Sequence, residues 1–350
     1  MPNSLLDKLL DAAPNKNSGL LTNSVSFSAK DVIPTDLPIL NIAFSGKLDG
    51  GLVTGLTVFA GESKCYKTLL SLYCMKAYFN KYPDAVALFY DSEFGITTDY
   101  LQNNGIDPSR IIHIPITTIE ELKFDIVQRM QTINRGDKVF IMIDSLGGLP
   151  SRKEAEDAEN QKSVADMTRA KEIRSLLRII TPHMTLKDIP CIIINHTYKT
   201  MELYAKDVIS GGSSVMYTAN QAFIITRSQE KDNSSGEIEG WNFTIRIEKS
   251  RFVKEKSKLT FQVRYNQGVV PWSGLFDIAM NSGHIESPSR GWYQKKGEEK
   301  KIRISDTNSD DFWNSIINDE EFKQYVSNSF ALSVPKINVT EETIDLQDDD

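Results

Sequence analysis

Cysteine is scarce: the chain of 350 residues has 3, at Cys65, Cys74 and Cys191. Their odd number, and their places inside apolar or loop segments, exclude a disulfide framework and point to a reducing cytoplasm. The 4 histidines are scattered with no Cys/His pairing, so no zinc site is read. No apolar run approaches the ~20 residues that span a bilayer. The amino end mixes acids with its leucines and is not read as a secretory signal. No internal repeat is found. Positive charge is also short, and a net charge of −7 argues on its face against nucleic acid. The distribution qualifies that. The last ten residues hold six acids and no base, while residues 246–258 carry Arg246, Lys249, Arg251, Lys254, Lys256 and Lys258 against Glu248 and Glu255. What remains is ordinary globular composition, 40% hydrophobic and 25% charged, long enough for two domains or one large core with appendages.

The stretch that organises the chain is Leu56-Thr57-Val58-Phe59-Ala60 followed by Gly61-Glu62-Ser63-Lys64-Cys65-Tyr66-Lys67-Thr68 and an apolar helical run from Leu69. Strand, loop and helix in this order match a phosphate-binding P-loop. Loop and helix N–H groups can face a phosphate, and the helix dipole favours negative charge there. Lys67 would reach the β- and γ-phosphates of ATP, and Thr68 would offer its hydroxyl to Mg²⁺. Tyr66 stands where the common pattern asks for glycine. If that position has positive φ a tyrosine is strained, so either the loop tolerates it or the segment is an ordinary strand-to-helix turn.

Residues 4–11 place Leu5, Leu6, Leu9 and Leu10 on one helical face, suited to docking on another subunit or folding back on the chain's own core. A polar tether with Phe27 follows. From Leu56 onward strands and helices alternate. Residues 85–90, 110–114, 138–143 and 191–194 read as strands, and 118–134 and 163–180 as helices. That pattern means a mostly parallel α/β sheet with helices on both faces. Residues 222–226, 241–247 and 259–265 alternate with period two and read as antiparallel additions at its edge. The expected organisation is a helix and tether over 1–30, a core over 31–270, a small α+β domain over 271–332 and a disordered acidic tail over 333–350.

Apolar residues 139–143 end in Asp144, the Walker B form, which would hold Mg²⁺ opposite Thr68. Glu93 ends an earlier strand, where a carboxylate could orient and deprotonate an attacking water; the plainer alternative makes Asp91 and Glu93 capping acids. His196 opens a long polar loop reaching Gly211-Gly212, either as a γ-phosphate contact or as a satisfied core histidine.

Gly61-Glu-Ser-Lys-Cys-Tyr-Lys67-Thr68, Leu88-Phe-Tyr-Asp-Ser-Glu93-Phe-Gly-Ile-Thr, Ile143-Asp144-Ser-Leu-Gly, Ile194-Asn195-His196-Thr-Tyr and Glu248-Lys249-Ser-Arg251 together resemble the RecA class of DNA recombinases, most closely its T4-type phage branch. The match runs from about residue 30 to 315. That branch also lacks the second P-loop glycine, whereas RecA itself has glutamine at the place of His196. The resemblance implies a RecA-like P-loop ATPase with ATP and Mg²⁺ as cofactors. Gly61, Glu62, Ser63, Lys64, Cys65, Tyr66, Lys67, Thr68 and Leu69 would cradle the phosphates, Tyr100 would stack near the adenine, and Thr68 and Asp144 would hold the metal. Glu93 would be the hydrolytic base, His196 the γ-phosphate sensor, and Lys249 and Arg251 cations reaching the ATP of the neighbouring subunit. Residues 150–164 and 197–212 would be mobile loops lining a DNA channel, with Arg169, Tyr198, Lys199, Met201, Lys206, Gly211 and Gly212 on DNA and Met201 as a wedge between nucleotide triplets. Single-strand binding of that kind uses backbone cations and apolar wedges, with no base preference.

The expected function is ATP-dependent homologous recombination. A helical filament forms on single-stranded DNA, exchanges strands with a homologous duplex and releases on hydrolysis. The implied partners are further copies of the chain, a phage single-strand-binding protein and a loader, in the host cytoplasm and away from membranes. A hexameric helicase motor and a non-hydrolysing mediator are the rival readings. Only about 55 residues precede the P-loop, little for a ring helicase, and the pair Glu93 and Asp144 disfavours the mediator. The acidic tail either competes with DNA for the basic strip or only solubilises. Truncation after Pro335 should strengthen DNA binding chiefly at low salt, where charge competition is least screened; a salt titration that does not move leaves the tail a solubilising appendage.

Overall fold

A computed structural model of the chain describes residues 4–14, 18–21, 31–160, 167–201, 205, 207–211, 213–231 and 236–332. Phe27, Lys206, Gly212 and the acidic residues beyond 332 lie outside them. Helix α1 (Ser4–Asp11) leaves Leu5, Leu6 and Leu9 exposed. Then come α2 (Pro38–Ser45), β1 (Gly55–Gly61), α3 (Lys67–Lys81), β2 (Val86–Asp91), α4 (Thr98–Asn103), β3 (Ile111–Pro115), α5 (Ile119–Thr132), β4 (Val139–Asp144), α6 (Arg152–Glu159), α7 (Thr168–Lys187) and β5 (Pro190–Asn195). The rest of the core is a short hairpin β6 (Thr197–Lys199) and β7 (Asp207–Ile209), α8 (Ser213–Thr218), β8 (Gln221–Lys231), β9 (Ile238–Lys249), β10 (Lys258–Arg264) and β11 (Gly268–Val270).

Among the described residues nine strands form one sheet in the order β11-β10-β9-β8-β1-β5-β4-β2-β3. Strands β1, β4 and β5 are buried along their whole length, as continuous apolar runs in the middle of a parallel sheet must be. Parallel pairing runs from β8 through β1, β5, β4 and β2 to β3. One expectation needs correcting. Strand β8 is antiparallel to β9 but parallel to β1, so the antiparallel extension begins one strand later than its period-two pattern suggests. Burial gives the reason: β8 is fully buried over its first five residues and mostly exposed beyond them, because only its first half lies against β1.

Helices cover both faces. Helices α2 and α3 close one core with Phe44, Phe59, Phe223 and Phe140, while α5 and α7 close the other with Leu122, Ile126, Leu176 and Ile180. Helix α5 starts at a capping box, Thr118 accepting from the Glu121 N–H and Glu121 answering the Thr118 N–H. Helix α7 begins at Thr168 and continues through Pro182 to Lys187, further than the apolar pattern suggested; Leu177 O is bonded by the Thr181 hydroxyl, one adjustment beside the proline. Helix α2 escaped the sequence reading because its eight residues have buried apolar groups nearly all round, which leaves no amphipathic period to detect.

Beyond β11 lies a small helical and hairpin unit: α9 (Leu275–Asn281), β12 (Ile285–Ser289), β13 (Trp292–Lys295), α10 (Asp310–Ile317) and α11 (Glu320–Phe330). Its buried Trp313 stacks on Trp272 with ring centroids 6.2 Å apart. The chain then returns to the core, the Leu332 N–H donating to Phe252 O at 2.8 Å.

Phe223 is fully buried and meets both Phe44 and Phe59 at 5.6 Å between centroids. Phe223→Ala should therefore destabilise by roughly 3–5 kcal/mol, read as a lower urea midpoint at unchanged slope.

Candidate nucleotide site

Strand β1 ends at Gly61 because the chain must pass close to its neighbour there: a Cβ would lie 2.4 Å from Ile225 O. Tyr66, the residue before α3, has φ 56°, so the feared strain is real, costing roughly 1–2 kcal/mol. Its ring packs on Phe243 at 4.8 Å between centroids, and that aromatic contact offsets the backbone cost. A tyrosine serves where glycine is usual because the loop has a core to lean on.

Lys67 is buried, and its ammonium donates to Gly61 O at 3.1 Å and Glu62 O at 2.7 Å; burial pulls its pKa down. The Thr68 hydroxyl donates to Asp144 Oδ2 at 2.6 Å. The Asp144 carboxyl is pushed up to about 6 by burial, helped by the negative charges of Glu93 and Asp91. A half-buried hydroxyl paired with a buried carboxylate, beside a lysine whose hydrogen bonds among the described residues go to two carbonyls, is a donor set suited to Mg²⁺ and phosphate.

The parallel order brings the carboxyl ends of β1, β2, β4 and β5 to one edge. There Ser145 donates to Glu93 Oε1 at 2.8 Å, and His196 Nε2 lies 3.2 Å from the same oxygen and 3.4 Å from the serine. Gly147 lets the two loops meet, for a Cβ would fall 2.6 Å from Asn195 Oδ1. Ser145 was not among the residues picked from the sequence; its place directly after the Walker B acid was the available signal.

One cleft of about 420 Å³ is lined by Lys67, Thr68, Leu69, Glu93, Tyr100, Asp144 and His196 together with Ser63, Lys64, Cys65 and Tyr66. Ile194 and three unforeseen residues, Arg227, Trp241 and Tyr265, complete it. The Arg227 guanidinium sits 4.3 Å from the Trp241 ring centroid, and the Trp241 indole donates to the Tyr265 hydroxyl at 2.8 Å. Their only sequence signal is a cation and two large polar aromatics in or just after the antiparallel strands β8, β9 and β10.

Lys249 and Arg251 are not on this cleft. The Lys249 ammonium donates to Met216 O and Tyr217 O at 2.7 and 2.8 Å. The DNA-contact candidates are divided. Tyr198 and Met201 are exposed, and Lys199 pairs with Glu62 of the P-loop at 3.8 Å. Arg169 instead donates to Leu149 O and Gly147 O, both at 2.7 Å, and so braces the loop after Asp144. Gly211 has φ 88°. The described residues of the stretches 150–164 and 197–212 include regular elements. The first contains α6, and the second begins and closes as the β6–β7 hairpin, tied to β5 by Asn195 Nδ2 donating to Ser210 O at 2.8 Å.

A family model of the RecA N-terminal domain matches residues 23–270, and one of the C-terminal domain of the bacteriophage T4 recombination and repair protein matches residues 272–326. The chain belongs to the RecA family. It is 45% identical to the recombination and repair protein of Enterobacteria phage T4 over 94% of this chain and 86% of that protein. It is 25% identical to protein RecA of Tropheryma whipplei over 81% of this chain and 63% of that one, and 24% identical to protein RecA of Thermotoga maritima over 84% and 81%. This RecA-family chain is a recombinase of recombination and repair, with a RecA-like α/β core. Among the described residues no helix is long and apolar enough to cross a membrane.

The electrostatics of this recombinase predict a pH effect. A carboxyl whose folded value is raised binds its proton more tightly in the native state, so native stability falls as pH rises from 3.8 toward about 6. Without nucleotide or Mg²⁺, Asp144→Asn should thus stabilise the protein by on the order of 1–3 kcal/mol at neutral pH and by little near pH 4. Thermal melts at the two pH values check it; an equal effect at both contradicts the assignment.

Proposed function

We propose that this recombinase binds ATP with Mg²⁺ in the cleft and hydrolyses it when assembled on single-stranded DNA as a helical filament, which pairs and exchanges strands with a homologous duplex. The observation that carries the reading is the meeting of Lys67, the Thr68–Asp144 pair and the Glu93–Ser145–His196 cluster at one sheet edge. Loop residues 61–69 would hold the phosphates. Mg²⁺, when bound by Thr68 and Asp144, supplies neutralisation of charge on the phosphates. Glu93, half exposed at the cleft, would orient the attacking water and take its proton. His196 touches Glu93 and opens the β6–β7 hairpin, so a phosphate contact made there would reach the hairpin that carries Tyr198 and Lys199. Tyr100 would face the adenine.

Two surface features support self-association. The leucine face of α1 is uncovered, and β3 is an open edge of the sheet with Ile112 exposed. Because Lys249 and Arg251 stand off their own cleft, they suit the ATP of a neighbour, where they would complete charge neutralisation only on assembly. Tyr198, Lys199, Lys206, Met201, Gly211 and Gly212 would face DNA, while Arg169, bonded to Leu149 O and Gly147 O, would act from behind by bracing the loop after Asp144. Further partners would be a phage single-strand-binding protein and a loader, in the host cytoplasm.

Glu93→Gln retains size and hydrogen bonding but cannot accept a proton. It should lower DNA-stimulated turnover by ~10²–10⁴-fold, while electron micrographs with ATP still show filaments on single-stranded DNA. Near-normal turnover removes Glu93 from the role, and closed rings in place of filaments overturn the assembly.

A further inference from the structure

The turn that aims Glu93 is not held by its own backbone. Phe94, the next residue, has φ 54° and an exposed ring, so neither local preference nor packing keeps it there. Asp91 does. Its Oδ1 accepts from the N–H groups of Glu93 at 3.0 Å and Phe94 at 2.8 Å. Its Oδ2 accepts from His113 Nε2 at 3.0 Å, and the carboxyl side chain is 3% exposed. Two of these donors belong to the turn itself. The third comes from the next strand, where His113 lies on β3 against the Phe89 ring at 5.6 Å between centroids. Neither Asp91 nor His113 lines the cleft.

We infer that His113 and Asp91 are a positioning pair for Glu93, an inference that rests on the hydrolytic role proposed above. Without the imidazole donor, Oδ2 becomes a buried and unpaired anion close to Glu93 and Asp144. Leaving such a group unpaired is unfavourable enough to turn the carboxyl towards solvent. That rotation releases the N–H groups of Glu93 and Phe94, and the strained turn relaxes. Glu93 then loses its alignment with Ser145 and His196. The effect is on the orientation of the base, so it lands on turnover and spares nucleotide binding. His113 is half exposed on the terminal strand, so its side chain can be removed without emptying a core.

The test is steady-state ATP hydrolysis on single-stranded DNA, with ATP affinity measured separately. His113→Ala should lower kcat roughly tenfold at unchanged KM and affinity. His113→Gln, whose amide nitrogen can reach the place of Nε2, should recover most of that loss. In a Glu93→Gln background, His113→Ala should cost nothing further, because the group it positions is already disabled. Wild-type kcat in His113→Ala, or the same tenfold loss with Glu93→Gln present, overturns the positioning role. Wild-type turnover in Glu93→Gln alone overturns the hydrolytic role itself, so failure of the two readings gives different results.

Discussion

A buried negative charge at the end of β4 is the constraint on which the rest of the site depends. Asp144 is almost inaccessible and has two acidic neighbours, Asp91 and Glu93, whose charges oppose its ionisation. The chain leaves that unfavourable arrangement only partly relieved, with one hydroxyl from Thr68 and a lysine that is turned towards carbonyls. Such a cluster is stable because the nine-stranded sheet holds its strand ends in register.

The same economy is visible at Tyr66 and Phe94. Both carry left-handed backbone without being glycine. Tyr66 is held by packing on Phe243, and Phe94 by the Asp91 carboxylate. Strain in the loop before α3 is thus tied to the hydrophobic core, whereas strain at the Glu93 turn is tied to a polar couple between β2 and the terminal strand β3. The two respond differently to substitution. A core contact changes with volume, and a polar couple changes with the loss of a single donor.

In this recombinase the hairpin β6–β7 and the brace from Arg169 to the loop after Asp144 connect the cleft to the surface that carries Tyr198 and Met201. His196 is the shared residue, touching Glu93 on one side and beginning the hairpin on the other. A change in what Glu93 contacts is therefore also a change at the base of the hairpin.

Local chemistry was written plainly in the chain: the apolar runs ending in Gly61, Asp91, Asp144 and Asn195, the Lys67-Thr68 pair and the alternation of strand with helix each follow from a few adjacent residues. Those runs announced a parallel α/β sheet, since only strands buried on both faces are apolar throughout. Strand order was not legible, and it is strand order that brings Glu93 to Ser145 and His196 across separations of 52 and 103 residues. The parallel pairing of β8, the helix α2 and the Arg227–Trp241–Tyr265 wall were also hidden. Their identity depends on what lies across from them in space, and no period along the chain records that. Which groups end each strand follows from a few adjacent residues; which of those groups meet follows from packing and sheet register, because these act between residues that have no local relation.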